Sequence, residues 1–355
     1  MNGRMKALMA LPEMRELDGV LVSSYENVRY LSGFTNVDAM LLITKDERLL
    51  FTDSRYSEQA QTQCPAFTVV ETGHGISLAT ELKKRFETRP FALGFEADRQ
   101  TVAWYEALKN ELPHVTLADL GAKLDRLRFI KDEGEIENIR GAQKVTDDAF
   151  DFLLGLIRPG MTELEIRAEL EYFMAKRACA VSFDTIIASG PHSSMPHAQP
   201  TDRKIQNGDF ITMDFGCKYN GYCSDMTRTV AVGHADEEMK KIYQIVLTAQ
   251  QRALDKIAPG VVCNIVDHIA RGFIDQMGYG DCFGHGLGHG FGLLIHEEPR
   301  FSPACEETLQ PGMCLSVEPG IYLPGKFGVR IEDTVCITKD GMENFTASPK
   351  ELIIL

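Results

Sequence analysis

The chain has 355 residues, 44% hydrophobic and 25% charged, a globular composition that sets aside disordered, collagen-like and disulfide-scaffold classes and suggests two domains at about 150 residues each. With 51 acidic against 37 basic side chains and a formal charge of −14, it offers no basic block for a phosphate backbone, so nucleic acid is not an expected partner and metal cations suit the field better. No apolar run approaches the ~18 residues of a membrane span, the short apolar stretch near Met1 is too brief for a secretory signal, and the nine cysteines are scattered without a C-x-x-C pair. A cytoplasmic protein with mostly reduced thiols and no membrane partner is expected.

In chain order, Gly19–Ser23, Met40–Thr44, Leu49–Thr52, Phe67–Glu71, Phe91–Phe95 and Val115–Leu117 read as strands, with helices over Leu78–Phe86 and Val102–Leu108. A small α/β domain is therefore expected over residues 1–125. From Glu133 the period changes: Ile136, Ile139, Ala142, Val145, Ala149, Phe152, Leu153 and Leu156 recur at helical spacing until Pro159-Gly160. Thr162 and Glu165 form a capping box for a second helix carrying Leu164, Ile166, Leu170 and Phe173. Helices over Glu237–Ile257, stopped by Pro259-Gly260, and Ile265–Met277 follow. A second domain is expected over residues 126–355, opening at Leu127-Arg128-Phe129-Ile130-Lys131.

That second domain contains an internal repeat. The run from Gln206 to Gly216 (QNGDFITMDFG) aligns without a gap on Gln310 to Gly320 (QPGMCLSVEPG), an offset of 104. In both, a turn feeds an apolar strand ending in a carboxylate, Asp214 or Glu318, with glycine two residues on. Each copy then supplies a second carboxylate, Asp225 in one and Glu332 in the other. A single strand-end carboxylate is usually a surface residue. Two at matching places in a repeat point to one two-lobed cation site in a pseudo-twofold α+β domain.

The segment from Phe283 to Pro299 (FGHGLGHGFGLLIHEEP) adds His285, His289 and His296 among alternating glycines, which, if extended, send His285 and His289 to one face. It is neither a phosphate loop, since no window reads G-x-G-x-x-G, nor a helical H-E-x-x-H zinc motif. Four carboxylates with one or two imidazoles make an oxygen-rich site able to neutralise two divalent cations, Mn²⁺ or Co²⁺ before Zn²⁺, although affinity order leaves Zn²⁺ open. A pair of such ions would bridge and deprotonate a water and polarise a carbonyl, which is hydrolytic chemistry.

The combination of Asp214, Asp225 eleven residues later, His289 in Gly-His-Gly, His296 in His-Glu-Glu-Pro, Glu318 in Glu-Pro-Gly and Glu332 in Arg-Ile-Glu-Asp resembles the pita-bread metallopeptidases. Within them it is similar to the proline-specific branch of aminopeptidase P and prolidase, and the Asn27–Phe34 segment resembles that branch's creatinase-like N-terminal domain. The resemblance implies that Asp214, Asp225, His289, Glu318 and Glu332 ligate two metal ions, with Asp225 and Glu332 bridging, and that the substrates are small peptides with proline at the second position. It further implies that His296 stabilises the reacting carbonyl, that His197 in Met-Pro-His-Ala binds substrate and shuttles protons, and that Glu318 exchanges a proton with the attacking water. His285 would line the proline pocket, Arg330 would brace the metal carboxylates from behind, and Arg300 would hold a dipeptide's terminal carboxylate or make only a surface contact. His192 stands where such relatives often carry asparagine, and the resemblance also implies a homodimer. A methionine aminopeptidase-like activity shares the ligands but lacks the extra N-terminal domain, a metal-free creatine amidinohydrolase would not need all five, and the intact ligands with His197 and His296 argue against a non-catalytic peptide-binding relative.

Overall fold

The computed structural model describes residues 3–73, 75–86 and 90–355. The chain forms two compact units, Met1–Arg128 and Phe129–Leu355. The first is built on a six-stranded sheet of β1 (Gly19–Val22), β2 (Met40–Thr44), β3 (Arg48–Asp53), β4 (Thr68–Thr72), β5 (Phe91–Phe95) and β6 (Val115–Asp119), ordered 4-3-2-1-5-6. β2 runs antiparallel to β1 and β3, and the remaining neighbours are parallel. Central β1 buries every residue, so both sheet faces are covered. Leu21, Leu42, Phe51, Leu82, Phe91 and Leu93 form the core against α4 (Leu78–Phe86) and α5 (Val102–Glu111).

All six expected strands form, but three further helices arise in this unit: α1 (Gly3–Ala10), α2 (Tyr25–Ser32) and α3 (Ser57–Gln63). α2 escapes a periodicity reading because it is short and buries a polar residue. Ser24 caps it by accepting from the Asn27 amide, and Asn27 Nδ2 donates to Glu96 Oε1 at 2.7 Å and Asp125 Oδ1 at 2.9 Å. A satisfied buried amide costs little, yet it breaks the apolar stripe that a pattern search looks for.

In the second unit, α6 (Glu133–Leu156) and α7 (Glu163–Ala175) each start with a capping box, Asp132 with Glu135 and Thr162 with Glu165. The following strands are β7 (Ala180–Val181), β8 (Ile186–Ser189), β9 (Phe210–Phe215), β10 (Cys217–Tyr219), β11 (Tyr222–Cys223) and β12 (Met226–Ala231), with β8, β9 and β12 forming one antiparallel sheet. Then come α8 (Glu237–Leu254), α9 (Cys263–Gln276), β13 (Gly288–Gly290), β14 (Glu297–Phe301), β15 (Cys314–Val317), β16 (Gly320–Leu323), β17 (Phe327–Arg330), β18 (Asp333–Ile337) and β19 (Met342–Asn344). Here the five-stranded sheet has the order 14-13-15-18-19. α8 stops at Leu254, short of the expected Ile257, because the amides of Lys256 and Ile257 bond three residues back, to Ala253 and Leu254, tightening the chain into Pro259-Gly260.

The repeat seen in the sequence is a repeat of hydrogen bonds. Gly160 N donates to Ile205 O at 2.9 Å and Gly260 N to Leu309 O at 2.8 Å; Leu164 N donates to Thr201 O at 3.1 Å and Asn264 N to Cys305 O at 3.0 Å. The turns that feed β9 and β15 match too, with Gly208 at φ +90° and Gly312 at φ +91°, a left-handed backbone that glycine adopts without a Cβ clash. Each half buries its own helix pair against its own strands. Ile166, Leu170, Ile187, Ile211 and Met213 pack in one, and Val246, Ala249, Val266, Leu315 and Val335 in the other. Each large aliphatic side chain of these cores contributes roughly 1.5–3 kcal/mol. Among the described residues no helix is long and apolar enough to cross a membrane.

Candidate metal centre

The two halves deliver their carboxylates to one place because the strand registers require it. Thr227 on β12 pairs with Asp214 on β9, so Asp225, just before β12, lies beside Asp214 at the strand end. Val317 on β15 pairs with Asp333 on β18, so Glu318, just after β15, and Glu332, just before β18, face each other one step beyond the ladder. The halves are joined here: Glu332 N donates to Thr227 O at 3.0 Å, and Thr227 Oγ1 donates to Glu332 Oε2 at 2.7 Å.

His289 enters on β13, where close approach depends on glycine. A Cβ on Gly288 would lie 2.0 Å from Ser316 O, so only glycine lets β13 lie against β15 as it does. The extended glycine run is confined to Gly288–Gly290, yet His285 and His289 both reach the same cavity. His289 Nδ1 lies 3.1 Å from Gly290 O. A carbonyl only accepts, so Nδ1 carries the proton and Nε2 keeps its lone pair for a metal. That Nε2 is 3.5 Å from Asp225 Oδ2 and 3.4 Å from Glu318 Oε1. One ligand atom each from Asp225, His289 and Glu332 lies within 4.8 Å of the others.

All the candidate site residues read from the sequence line one cavity of about 550 Å³. Asp214, Asp225, His289, Glu318 and Glu332 share it with His197, His285, His296, Arg300 and Arg330. Asp225 is 4% exposed and Glu332 1%. Burial, with repulsion from Glu332, Asp214 and Glu318, pushes the Asp225 carboxyl well above the usual carboxylate range. Burial and then Glu318 and Asp214 do the same to Glu332, and burial raises Glu318 to about 7 against the opposing pull of Arg330. Burial lowers His289 to about 3 and His285 to about 4, which makes both neutral imidazoles.

Arg330 is the one buried cation lining this cavity among the described residues, and its Nη2 donates to Asp214 Oδ2. Its Nε donates to Thr227 Oγ1 at 3.1 Å and its Nη1 to the Tyr322 hydroxyl at 2.8 Å. Tyr322 in turn lies 2.9 Å from His285 Nε2, while His285 Nδ1 faces Gly286 O at 2.8 Å. The proton on Nδ1 fixes the direction, so Tyr322 accepts from Arg330 and donates to His285. Tyr322, Thr227 and Ser316, whose Oγ donates to Glu318 Oε1 at 3.1 Å, complete the surroundings of the ligands. The sequence reading did not select them, since a tyrosine, a threonine and a serine inside strands carry no motif of their own. Arg300 lies at the rim, half-exposed, with Nε 3.1 Å from Glu298 Oε1.

One guanidinium against four carboxylates leaves a surplus of negative charge, and Asp214 Oδ1 and Glu332 Oε1 are buried without a hydrogen-bond partner. Buried anionic oxygens left bare are costly unless a cation meets them. The donor set, four carboxylates with one imidazole lone pair aimed among them, fits hard divalent metal ions.

The six-stranded N-terminal unit and the pseudo-twofold second unit with its carboxylate–imidazole cluster define a hydrolase of the metallopeptidase class. Residues 137–339 match Metallopeptidase family M24 and residues 4–130 match the Creatinase/Prolidase N-terminal domain, and the chain belongs to that metallopeptidase family. A Xaa-Pro dipeptidase from Pyrococcus horikoshii is 37% identical over 355 residues, covering 99% of both chains. Among solved structures, a Xaa-Pro dipeptidase from Bacillus anthracis superposes with a TM-score of 0.94 at 40% identity, covering 99% of each chain. An X-Pro aminopeptidase from Thermotoga maritima superposes with a TM-score of 0.89 at 39% identity, covering 96% of this chain and 98% of that one.

Proposed function

We propose that the protein is a dinuclear-metal exopeptidase that hydrolyses the X-Pro bond, in X-Pro dipeptides or at the N-terminus of longer peptides. The observation that carries this reading is the convergence of Asp214, Asp225, His289, Glu318 and Glu332 in one cavity with bare anionic oxygens among them. The similar proteins named Xaa-Pro dipeptidase and X-Pro aminopeptidase supply the substrate class. These five residues would hold two divalent ions, Mn²⁺ first, with Asp225 and Glu332 shared between them. When bound, such ions supply Lewis-acid activation of water and polarisation of the scissile carbonyl.

The chain's own residues supply the rest. Glu318 takes the proton of the attacking water on its carboxylate and returns it to the leaving proline nitrogen. His296, whose ring centroid is 4.5 Å from that of His289, has its pKa lowered by partial burial and by nearby Arg300, and donates to the carbonyl oxygen as charge develops there. His197 holds the substrate and relays protons. With both nitrogens of His285 engaged by Gly286 and Tyr322, its ring presents an apolar wall suited to a pyrrolidine. An X-Pro amide has no N–H, so such a wall leaves no donor unpaired, whereas an ordinary peptide would bury one. Arg300, whose Nε donates to Glu298 Oε1, would take a dipeptide's terminal carboxylate.

His296→Ala is expected to lower kcat by about 10²–10³-fold with bound metal, measured by elemental analysis, unchanged. Metal lost in step with activity would remove His296 from this role. The substrate reading is tested by a length series, Ala-Pro against Ala-Pro-Gly and longer, with Mn²⁺ present. Arg300→Ala should raise KM for the dipeptide about tenfold, the worth of one charged hydrogen bond, and leave the longer peptides nearly unaffected. A uniform change across all lengths would show that Arg300 grips no terminus, and no cleavage of any X-Pro peptide by the metal-loaded wild type would overturn the function itself.

A further inference from the structure

We infer that Glu163 is a positioning residue: one buried carboxylate pins both ends of the 189–201 loop and thereby holds His197 in the cavity. This rests on the role given above to His197. Glu163 is the first residue of α7 and is fully buried, where a negative charge suits the helix N-terminus. Its Oε1 accepts from Ser189 N and Ser189 Oγ, both at 2.7 Å, at the start of the loop. Its Oε2 accepts from Thr201 N at 2.9 Å and Thr201 Oγ1 at 2.8 Å, at the end of it. His192 Nδ1 approaches the same oxygens at 3.1 and 2.9 Å, tying the middle of the loop to the same point.

Beyond these ties the loop reaches β17, which ends at Arg330 beside the candidate metal ligands. Gly328 N donates to Ser193 Oγ at 2.9 Å, and Arg330 Nη1 donates to Pro196 O at 3.1 Å, immediately before His197. The guanidinium that meets Asp214 is thus also the far support of the His197 segment, and Glu163 is the near one. Comparison of the two halves separates this from a requirement of the fold. The backbone bond from Leu164 N to Thr201 O recurs as Asn264 N to Cys305 O. At the place of Glu163, however, the second half has Cys263, and at the place of Thr201 it has Cys305. The repeat therefore closes without a carboxylate, and the acid is confined to the half whose loop brings in His197.

Neutralising the carboxylate as Glu163→Gln keeps its shape but turns an amide NH₂ toward one set of donors, so one end of the loop loses its acceptor. In the metal-loaded protein kcat for Ala-Pro should fall about tenfold or more, with bound metal unchanged. Hydrogen exchange at the amides of the 189–201 loop should accelerate about tenfold, while that of α8 and α9 stays as in the wild type. In a His197→Ala background the same substitution should change kcat less than about twofold, because the two act through one group. An equal loss in both backgrounds, or a loop whose exchange is unchanged, would overturn the inference. The exchange readout needs no turnover, so it decides the pinning even if the wild type proves inactive on X-Pro peptides, a result that would count against the proposed function instead. Should Glu163→Gln not fold, Thr201→Val removes a single hydroxyl tie and should show the same pattern at smaller amplitude.

Discussion

Asp225→Asn is expected to reduce X-Pro hydrolysis by about three orders of magnitude, about 4 kcal/mol of transition-state stabilisation, without unfolding the protein. Asp225 faces His289 and Glu332 at the centre of the cluster, and an amide in its place offers one weak neutral oxygen where a carboxylate offered two anionic ones. The fold should tolerate the change because Asp225 is held above its ordinary pKa by burial and by Glu332, Asp214 and Glu318, a configuration costly to the metal-free chain. Circular dichroism and the melting temperature of the metal-free variant should therefore match or exceed those of the metal-free wild type, while elemental analysis shows reduced metal. Turnover like that of the wild type, in protein freed of contaminating peptidase, would contradict the central place of Asp225.

Chelation should act on stability as well as on activity. Ions held by the folded site and not by the unfolded chain stabilise by RT ln(1 + [L]/Kd), about 4 kcal/mol at a thousandfold excess over Kd. Their removal leaves Asp214 Oδ1 and Glu332 Oε1 bare again among like charges. Dialysis against a strong chelator is expected to abolish hydrolysis and to lower the melting temperature measured by calorimetry, and Mn²⁺ should restore both. Hydrolysis that survives exhaustive chelation, or a melting temperature indifferent to metal, would contradict a site built to be neutralised by cations.

The residues that carry the chemistry were legible because they recur: Asp214 and Glu318 stand at the ends of two copies of one strand, and Asp225 and Glu332 immediately precede the strands paired with them. The glycine run around His289 was legible as a close approach, and Gly288 against Ser316 shows what required it. Short helices such as α2 were not legible, because eight residues with a buried, hydrogen-bonded Asn27 lack a continuous apolar stripe. Nor were the partners that orient the ligands. Thr227 and Tyr322 become visible only when segments distant in sequence come together, as Thr227 does with Glu332 across 105 positions and Tyr322 with His285 across 37, and Ser316, two residues from Glu318, carries no motif of its own. Glu163 carries no signal of its own in the sequence, and only the folded loop brings five hydrogen-bonding groups of Ser189, His192 and Thr201 onto its carboxylate.

The most direct test is to count metal. Equilibrium dialysis of the chelated protein against Mn²⁺, followed by elemental analysis, should return two ions per wild-type chain and fewer for Asp225→Asn and Glu332→Gln. A wild-type chain that retains none, or variants that bind as much as the wild type does, would show that these carboxylates gather for some purpose other than holding cations.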